Sequence, residues 1–131
     1  MSYAFGSIDE LGDGPGFRKV RRALGITAFG VNAVVYPPRY EGFHHYHDTQ
    51  DELYFVHSGR ARVEVGDEVR ELGPGGMVHV ESTTPRRLSN AGDEPLVMLV
   101  VGGKDGYVER DGTWSTTPTS RAAPSSARAS L

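Results

Sequence analysis

The most informative absence in this chain is cysteine. None of the 131 residues is a cysteine, which excludes disulfides, thiolate metal sites and a cysteine nucleophile. A chain of this length can bury enough apolar surface to fold as one domain without such cross-links. Any metal site must therefore be built from histidine, aspartate and glutamate side chains.

Positive charge is also scarce. Fourteen Lys and Arg residues against 17 Asp and Glu residues leave a net charge of −3, whereas a nucleic-acid-binding domain presents a basic face. The one basic run, from Arg18 to Arg22, is short and interrupted, and we interpret it as a solvated strand face. We therefore predict no nucleic-acid partner.

Long apolar runs are missing as well. No window approaches the ~18 consecutive apolar residues of a membrane span. Residues 1–6 lack the basic region and apolar core that begin a secretory signal. These absences predict no membrane association and a cytoplasmic protein.

Glycine and proline are abundant, and they divide the chain into short segments. Seventeen glycines and eight prolines leave little room for a long helix. The segments between them are rich in Val, Tyr, Phe and Ile and often alternate apolar with polar residues, which indicates short strands packed as a sandwich or closed barrel. One hairpin is expected to turn at Gly66 and Asp67. The predicted strands are residues 26–36, 52–58, 61–65, 68–72, 77–80, 86–90 and 96–101.

The composition changes at Ser115. From there to Leu131 the chain consists mainly of Ser, Thr, Pro, Ala and Arg, and such a segment cannot bury enough surface to offset its ordering entropy. We predict one β-barrel domain over residues 1–114 and a flexible tail over residues 115–131.

Three of the five histidines lie at positions 44, 45 and 47, followed by a carboxylate at Glu52. On an extended strand His45 and His47 point to the same face, and a short turn would bring Glu52 beside them. Two nitrogens and one oxygen form a first shell suited to Fe(II), Mn(II), Zn(II) or Ni(II). The alternative interpretation is an exposed polar loop. A strongly patterned strand follows the histidines, and it favours a site over such a loop.

The spacing of these residues resembles the first cupin motif, HxH-x4-E-x6-G. His45, His47, Glu52 and Gly59 match it, although the glycine that usually precedes the histidines is displaced to Gly42. The segment 72–76 resembles the start of the second motif, and Asn90 resembles its end. The resemblance implies an all-β, double-stranded β-helix (jelly-roll) barrel whose mouth holds a divalent metal.

The chain departs from the family in the second motif. The resemblance implies a histidine four residues before Asn90, where Arg86 stands. A different alignment would use His79, but the residue four places later is then Thr83. A guanidinium has no lone pair for a metal and stays protonated. Two hypotheses follow: His45, His47 and Glu52 hold the metal alone, or Arg86 pairs with Glu52 in a metal-free pocket.

Three classes of function remain open at this point, and one of them is an accessory protein with a degenerate pocket. The first is a metal-dependent enzyme of the oxygenase, isomerase or lyase type, in which Arg86 orients a small anionic substrate and Tyr54 assists proton transfer. The second is a non-catalytic module that binds a small acid or sugar, with Arg86 as the counter-charge. Tyr54 shares the face of Glu52, and its plainer interpretation is a core residue. We also predict a homodimer, the commonest arrangement of small oligomers.

Overall fold

The computed structural model describes residues 2–109 and 111–114. The predicted tail over residues 115–131 lies outside the described residues, so it stays a prediction. Ten short strands dominate the described part, with one five-residue helix and a 3-10 turn at Ile8–Glu10. The elements are β1 (Gly16–Arg18), α1 (Val20–Leu24), β2 (Gly30–Tyr36), β3 (His45–His47), β4 (Asp51–Ser58), β5 (Ala61–Val65), β6 (Glu68–Leu72), β7 (Met77–Val80), β8 (Arg86–Asn90), β9 (Leu96–Gly103) and β10 (Gly112–Trp114).

Two five-stranded antiparallel sheets face each other. One has the order β1-β2-β9-β4-β7 and the other the order β10-β3-β8-β5-β6. The prediction of an all-β jelly-roll barrel is therefore confirmed. Inward positions alternate along β9, where Leu96, Met98 and Val100 are buried and the residues between them are only half-buried. These side chains pack against Val56 and Val63 from β4 and β5 to form the core.

The predicted strands agree with the observed ones, except for the first. The strands predicted over residues 61–65, 68–72, 77–80 and 86–90 have the observed bounds of β5 to β8, and Val65 pairs with Glu68 across the expected turn. The strand predicted over residues 26–36 begins only at Gly30. Gly30 pairs with Gly102, one residue before the end of β9, so in this register residues 26–28 extend past the end of that strand.

The interpretation of the basic run as a strand face was wrong in part. Only Arg18 belongs to a strand, and Val20–Leu24 form α1, which ends at Gly25 in a left-handed conformation (φ 69°). The Arg18 guanidinium donates to the carbonyls of Ile8 and Gly14 at 3.0 and 2.9 Å. This arginine therefore ties the N-terminal segment together.

Two glycines fit the molecule only because they lack a side chain. At Gly59 (φ 88°) a Cβ would lie 2.6 Å from the carbonyl oxygen of Pro95, and at Gly42 it would lie 1.9 Å from that of Leu88. Gly42 also donates its N–H to Ser89 Oγ at 3.1 Å. Close backbone approach thus explains the glycine at each of these positions.

Within residues 2–109 and 111–114, no helix has the length and apolar character that crossing a bilayer requires.

Candidate metal centre

The histidines of β3 and the carboxylate at the start of β4 meet inside the barrel. One donor atom from each of His45, His47 and Glu52 lies within 4.8 Å of the others. The Nε2 atoms of His47 and His45 lie 3.0 and 4.0 Å from Glu52 Oε1. His47 and Glu52 are buried, at 3% and 2% exposure. The structure thus brings together the three residues predicted to form a site, and their role as metal ligands remains a proposal.

The electrostatics leave one neutral imidazole beside an ionised carboxylate. Burial lowers the pKa of His45 to about 4, and the charge of Arg86 acts in the same direction. Burial alone would raise the pKa of Glu52, but His47 and Arg86 more than offset it, so the carboxyl pKa lies below its ordinary value. At neutral pH, His45 can offer a lone pair and Glu52 a full negative charge.

The donor set fits a divalent metal. His45 Nδ1 faces the carbonyl oxygen of Phe43 at 3.5 Å; because a carbonyl only accepts, this leaves Nε2 with a free lone pair toward Glu52. His47 Nε2 is buried and has no aligned hydrogen bond with any described residue, although Glu52 is near. Two imidazole nitrogens and one carboxylate oxygen suit Fe(II), Mn(II), Zn(II) or Ni(II). This group could therefore hold a metal ion.

Tyr54 lies one inward position beyond Glu52 on β4. Its hydroxyl donates a short hydrogen bond to Glu52 Oε1. Burial raises its pKa well above the ordinary value, and the neighbouring charge of Glu52 adds to the effect, so the phenol stays protonated. Tyr54 also belongs to the core cluster. Tyr54 is thus a core residue that also contacts the site, and its part in proton transfer remains a proposal.

Arg86 points into the barrel from β8, directly opposite His45 in the ladder. Its side chain is fully buried, and its Nη atoms donate to the carbonyls of residues 80–82 at 3.0 to 3.5 Å. Nη1 also lies 4.0 Å from Glu52 Oε1. Arg86 thus stands at the sequence position where the cupin resemblance implies a third histidine, and its guanidinium pairs loosely with the carboxylate.

His79, the alternative for that position, lies elsewhere. It is exposed on β7 and pairs with Leu53, whose side chain also faces outward. The alignment that places Arg86 in the second motif is consistent with this arrangement. Asn90, at the end of the same motif, donates from Nδ2 to the carbonyls of Tyr36, Pro37 and Glu94 at 3.2, 3.0 and 2.8 Å.

Sequence reasoning missed two polar residues that surround His47. Gln50 is fully buried, and its amide nitrogen lies 3.2 Å from both His47 Nδ1 and Glu52 Oε2. The Asp111 carboxylate, from the residue before β10, lies 3.6 Å from His47 Nδ1. Gln50 lies between the motif residues and could have been suspected. Asp111 is far away in sequence and carries no local signal.

A small cavity opens onto the three donors. Its volume is about 40 Å³, which is room for roughly two or three waters. Apart from the site residues, its walls are apolar or aromatic. The cavity is lined by Phe17, Val34, Tyr36, Phe43, His45, His47, Glu52, Tyr54, Leu88, Met98 and Val100.

Comparison with known proteins agrees with this architecture. A curated relative, an uncharacterized protein of Methanocaldococcus jannaschii, is 31% identical over 55 residues, which are 42% of this chain and 44% of that protein. A cupin protein of Bacteroides fragilis has a similar structure, with a TM-score of 0.69 and 24% identity over 83% of this chain and 90% of the other.

A sugar phosphate isomerase of the cupin superfamily from Silicibacter pomeroyi has the same TM-score, 0.69, and 24% identity, over 87% of this chain and 73% of the isomerase. At this identity, the likeness concerns the fold alone. The family model described as a cupin domain matches residues 32–102, more than half of the chain. This protein therefore belongs to the cupin domain family.

Proposed function

We propose that this protein is a metal-dependent cupin enzyme that acts on a small molecule, with His45, His47 and Glu52 as the metal ligands. The observation that carries the proposal is the convergence of three donor atoms within 4.8 Å beside a largely apolar cavity. A divalent ion held by three protein ligands retains open positions and supplies Lewis-acid or oxygen-activating chemistry. Barrels of this type catalyse many different reactions, so we propose an oxygenase, isomerase or lyase reaction and do not choose among these three.

Two further side chains complete the proposed machinery. Tyr54 both donates to Glu52 and lines the cavity, so its hydroxyl can exchange this hydrogen bond for one to a substrate oxygen, or pass its proton there and recover one through Glu52. Arg86 does not line the cavity among the described residues, and its Nη atoms are already engaged by backbone carbonyls. We therefore propose that Arg86 stabilises the charge and position of Glu52 and does not contact the substrate directly.

The cavity limits the substrate. A volume of about 40 Å³ does not hold a molecule of more than a few atoms unless the mouth moves. Phe17 lies on the short strand β1, remains 41% exposed and lines the same cavity. A small substrate with one polar end toward Glu52 and an apolar part against Phe17 and Phe43 suits this lining.

A metal-free binding module is the second candidate, and one observation favours it. Glu52 Oε1 already accepts the Tyr54 hydrogen bond and lies 4.0 Å from Arg86 Nη1. The guanidinium thus partly neutralises this carboxylate without a metal ion. In that case the cavity binds a small acid or sugar and performs no reaction.

Metal analysis of untagged protein, purified without chelator, separates the two candidates. The enzyme proposal expects close to one equivalent of Fe, Mn, Zn or Ni, and calorimetric titration of stripped protein should restore it. His45→Ala and His47→Ala should lose this binding, whereas the matched variant His79→Ala, on the exposed face of β7, should retain it. Protein that neither carries nor binds any of the four metals would support the binding module.

The homodimer and the cytoplasmic location remain proposals beside this one. Light scattering at micromolar concentration tests the first, and a monomer mass would refute it.

A further inference from the structure

Asp111 is a buried carboxylate that the proposed chemistry does not use. It is 5% exposed and accepts backbone hydrogen bonds from the loop between β3 and β4. Thr49 N–H donates to its Oδ2 and Oδ1 atoms at 2.8 and 3.0 Å, and Gln50 N–H donates to Oδ2 at 2.7 Å. The next residue, Gly112, pairs with His47 in the ladder between β10 and β3. Asp111 is therefore fixed against the loop that leads from one site residue to another.

The imidazole of His47 has neighbours with opposite requirements at its Nδ1 atom. The Gln50 amide nitrogen lies 3.2 Å from Nδ1 and donates to Glu52 Oε2 at the same distance. Because a carboxylate oxygen only accepts, this contact fixes the orientation of the amide. Gln50 therefore favours the tautomer in which Nδ1 accepts. Asp111 Oδ2, 3.6 Å from Nδ1, favours the tautomer in which Nδ1 carries the proton.

Only the second tautomer suits a metal on the cavity side. Nε2 is the atom that faces Glu52 Oε1, at 3.0 Å, and it can ligate only when its lone pair is free. His45 reaches this state through a neighbour in sequence, because its Nδ1 faces the carbonyl of Phe43. His47 has no such carbonyl among the side-chain hydrogen-bond partners of its described ring, and the Asp111 carboxylate lies 3.6 Å from its Nδ1.

We propose that Asp111 is a positioning residue that holds neutral His47 in the tautomer protonated on Nδ1, so that Nε2 is free for the metal. This inference rests on the proposed function and extends it to a residue far outside the motif. Carboxylates that accept from the second nitrogen of a ligating histidine orient the ring and raise its basicity. The charge of Asp111 also offsets that of Arg86, which otherwise repels a dication.

The test compares two neutralised carboxylates in the full chain. Asp111→Asn keeps an oxygen for the backbone N–H groups but loses the charge beside His47. The matched control is Asp51→Asn, since Asp51 also accepts from a backbone N–H, that of Ser82 at 3.0 Å. We expect Zn(II) affinity, measured by calorimetry, to fall about 10- to 100-fold in Asp111→Asn and to stay near wild type in the control. Equal affinities for the two variants would overturn the inference.

Nitrogen NMR of the imidazoles gives a readout that a purely structural role would not move. In metal-free protein, Asp111→Asn should shift His47 toward the tautomer protonated on Nε2, whereas Gln50→Met, which removes the competing donor, should shift it the other way. His47 nitrogen shifts that are identical in Asp111→Asn and wild type would overturn the inference. If wild type binds no metal, the proposed function fails, and the metal-free spectra still decide the role of Asp111.

Discussion

The two sheets hold their parts of the site in different ways. Glu52 and Tyr54 lie on β4, an eight-residue strand paired with β9 on one side and β7 on the other. The histidines lie on β3, which has three residues and pairs with β8 only at His45 and Arg86. Its other backbone contacts are the ladder with β10 and the bond from His47 N–H to the Ser82 carbonyl at 2.8 Å. The carboxylate is thus fixed by a long central strand, whereas the imidazoles are fixed by residues distant in sequence.

This difference predicts how substitutions on each sheet disturb the site. Substitutions around Glu52 act on a side chain whose backbone is secured from both sides. Substitutions at Asp111 or in β10 act on the placement of the imidazoles, although neither supplies a ligand atom. Variants of the two groups should therefore separate loss of a ligand from loss of ligand placement.

The largest effect on metal binding is expected at Glu52, on the strand that is paired on both sides. Glu52→Gln removes the anionic ligand but keeps the shape of the side chain, and it leaves Arg86 without its partner charge. We expect metal binding to fall by more than about 100-fold, the upper range for loss of supporting residues alone. Calorimetry with Zn(II) and Mn(II) measures this. Asp51→Asn, the neighbouring outward position on β4, is the control, and an affinity for Glu52→Gln equal to that of the control would exclude Glu52 as a ligand.

The next effect concerns the support of β3. A chain that ends at residue 110 lacks Asp111 and all of β10, so β3 loses one ladder. We expect weaker metal binding and a melting temperature lower by roughly 5 °C, since about 1 kcal/mol shifts a domain of this size by roughly 2–8 °C. Thermal unfolding of the metal-free protein measures the second effect. An unchanged melting temperature and affinity would show that β3 needs no support from β10.

Much of the arrangement on which these predictions depend was predictable from the sequence. The period-two alternation of strands and the turn at Gly66 and Asp67 marked most strands, because local pattern and backbone geometry decide them. The convergence of His45, His47 and Glu52 followed from the same alternation. Strands β1 and β10 have three residues each, which is too short for a pattern to emerge; β3 is equally short, and only its histidines marked it.

The rest depends on contacts between distant residues. Asp111 is 64 positions from His47, and nothing in its surroundings in sequence marks a carboxylate that faces an imidazole. Arg86 could be placed in the second motif by spacing. Its Nη atoms donate to the carbonyls of residues 80–82. These hydrogen bonds depend on the path of the turn between β7 and β8. Tertiary structure decides these roles, and local sequence does not encode them.

A smaller effect, in the favourable direction, is expected at Arg86. Arg86→His restores the histidine implied by the cupin resemblance and removes a like charge, each worth on the order of 1 kcal/mol, so metal binding should tighten about tenfold or more. The variant also leaves the carbonyls of residues 80–82 without their donor, which costs about 1–3 kcal/mol for each one that stays buried and unpaired. We therefore expect tighter binding together with a lower melting temperature of the metal-free protein.

Arg87→His is the matched control for this variant. Arg87 is the next residue on β8, and its Nε donates to Glu64 at 2.6 Å on the opposite face of the strand. Arg87→His should leave metal affinity unchanged. Unchanged affinity for Mn(II), Zn(II) and Ni(II) in Arg86→His as well would mean that position 86 contributes nothing to the metal site.

The smallest effect is expected from a chain that ends at Trp114. This variant keeps Asp111 and β10 and removes only residues 115–131, whose composition predicts that they bury too little apolar surface to offset their ordering entropy. Melting temperature and Zn(II) affinity should both match the full chain. If the chain ending at residue 110 loses stability or affinity and the chain ending at Trp114 does not, the loss is due to residues 111–114, the segment that contacts β3. A clear drop in either quantity for the chain ending at Trp114 would mean that residues 115–131 stabilise the barrel, and that β10 is not the last support of the histidines.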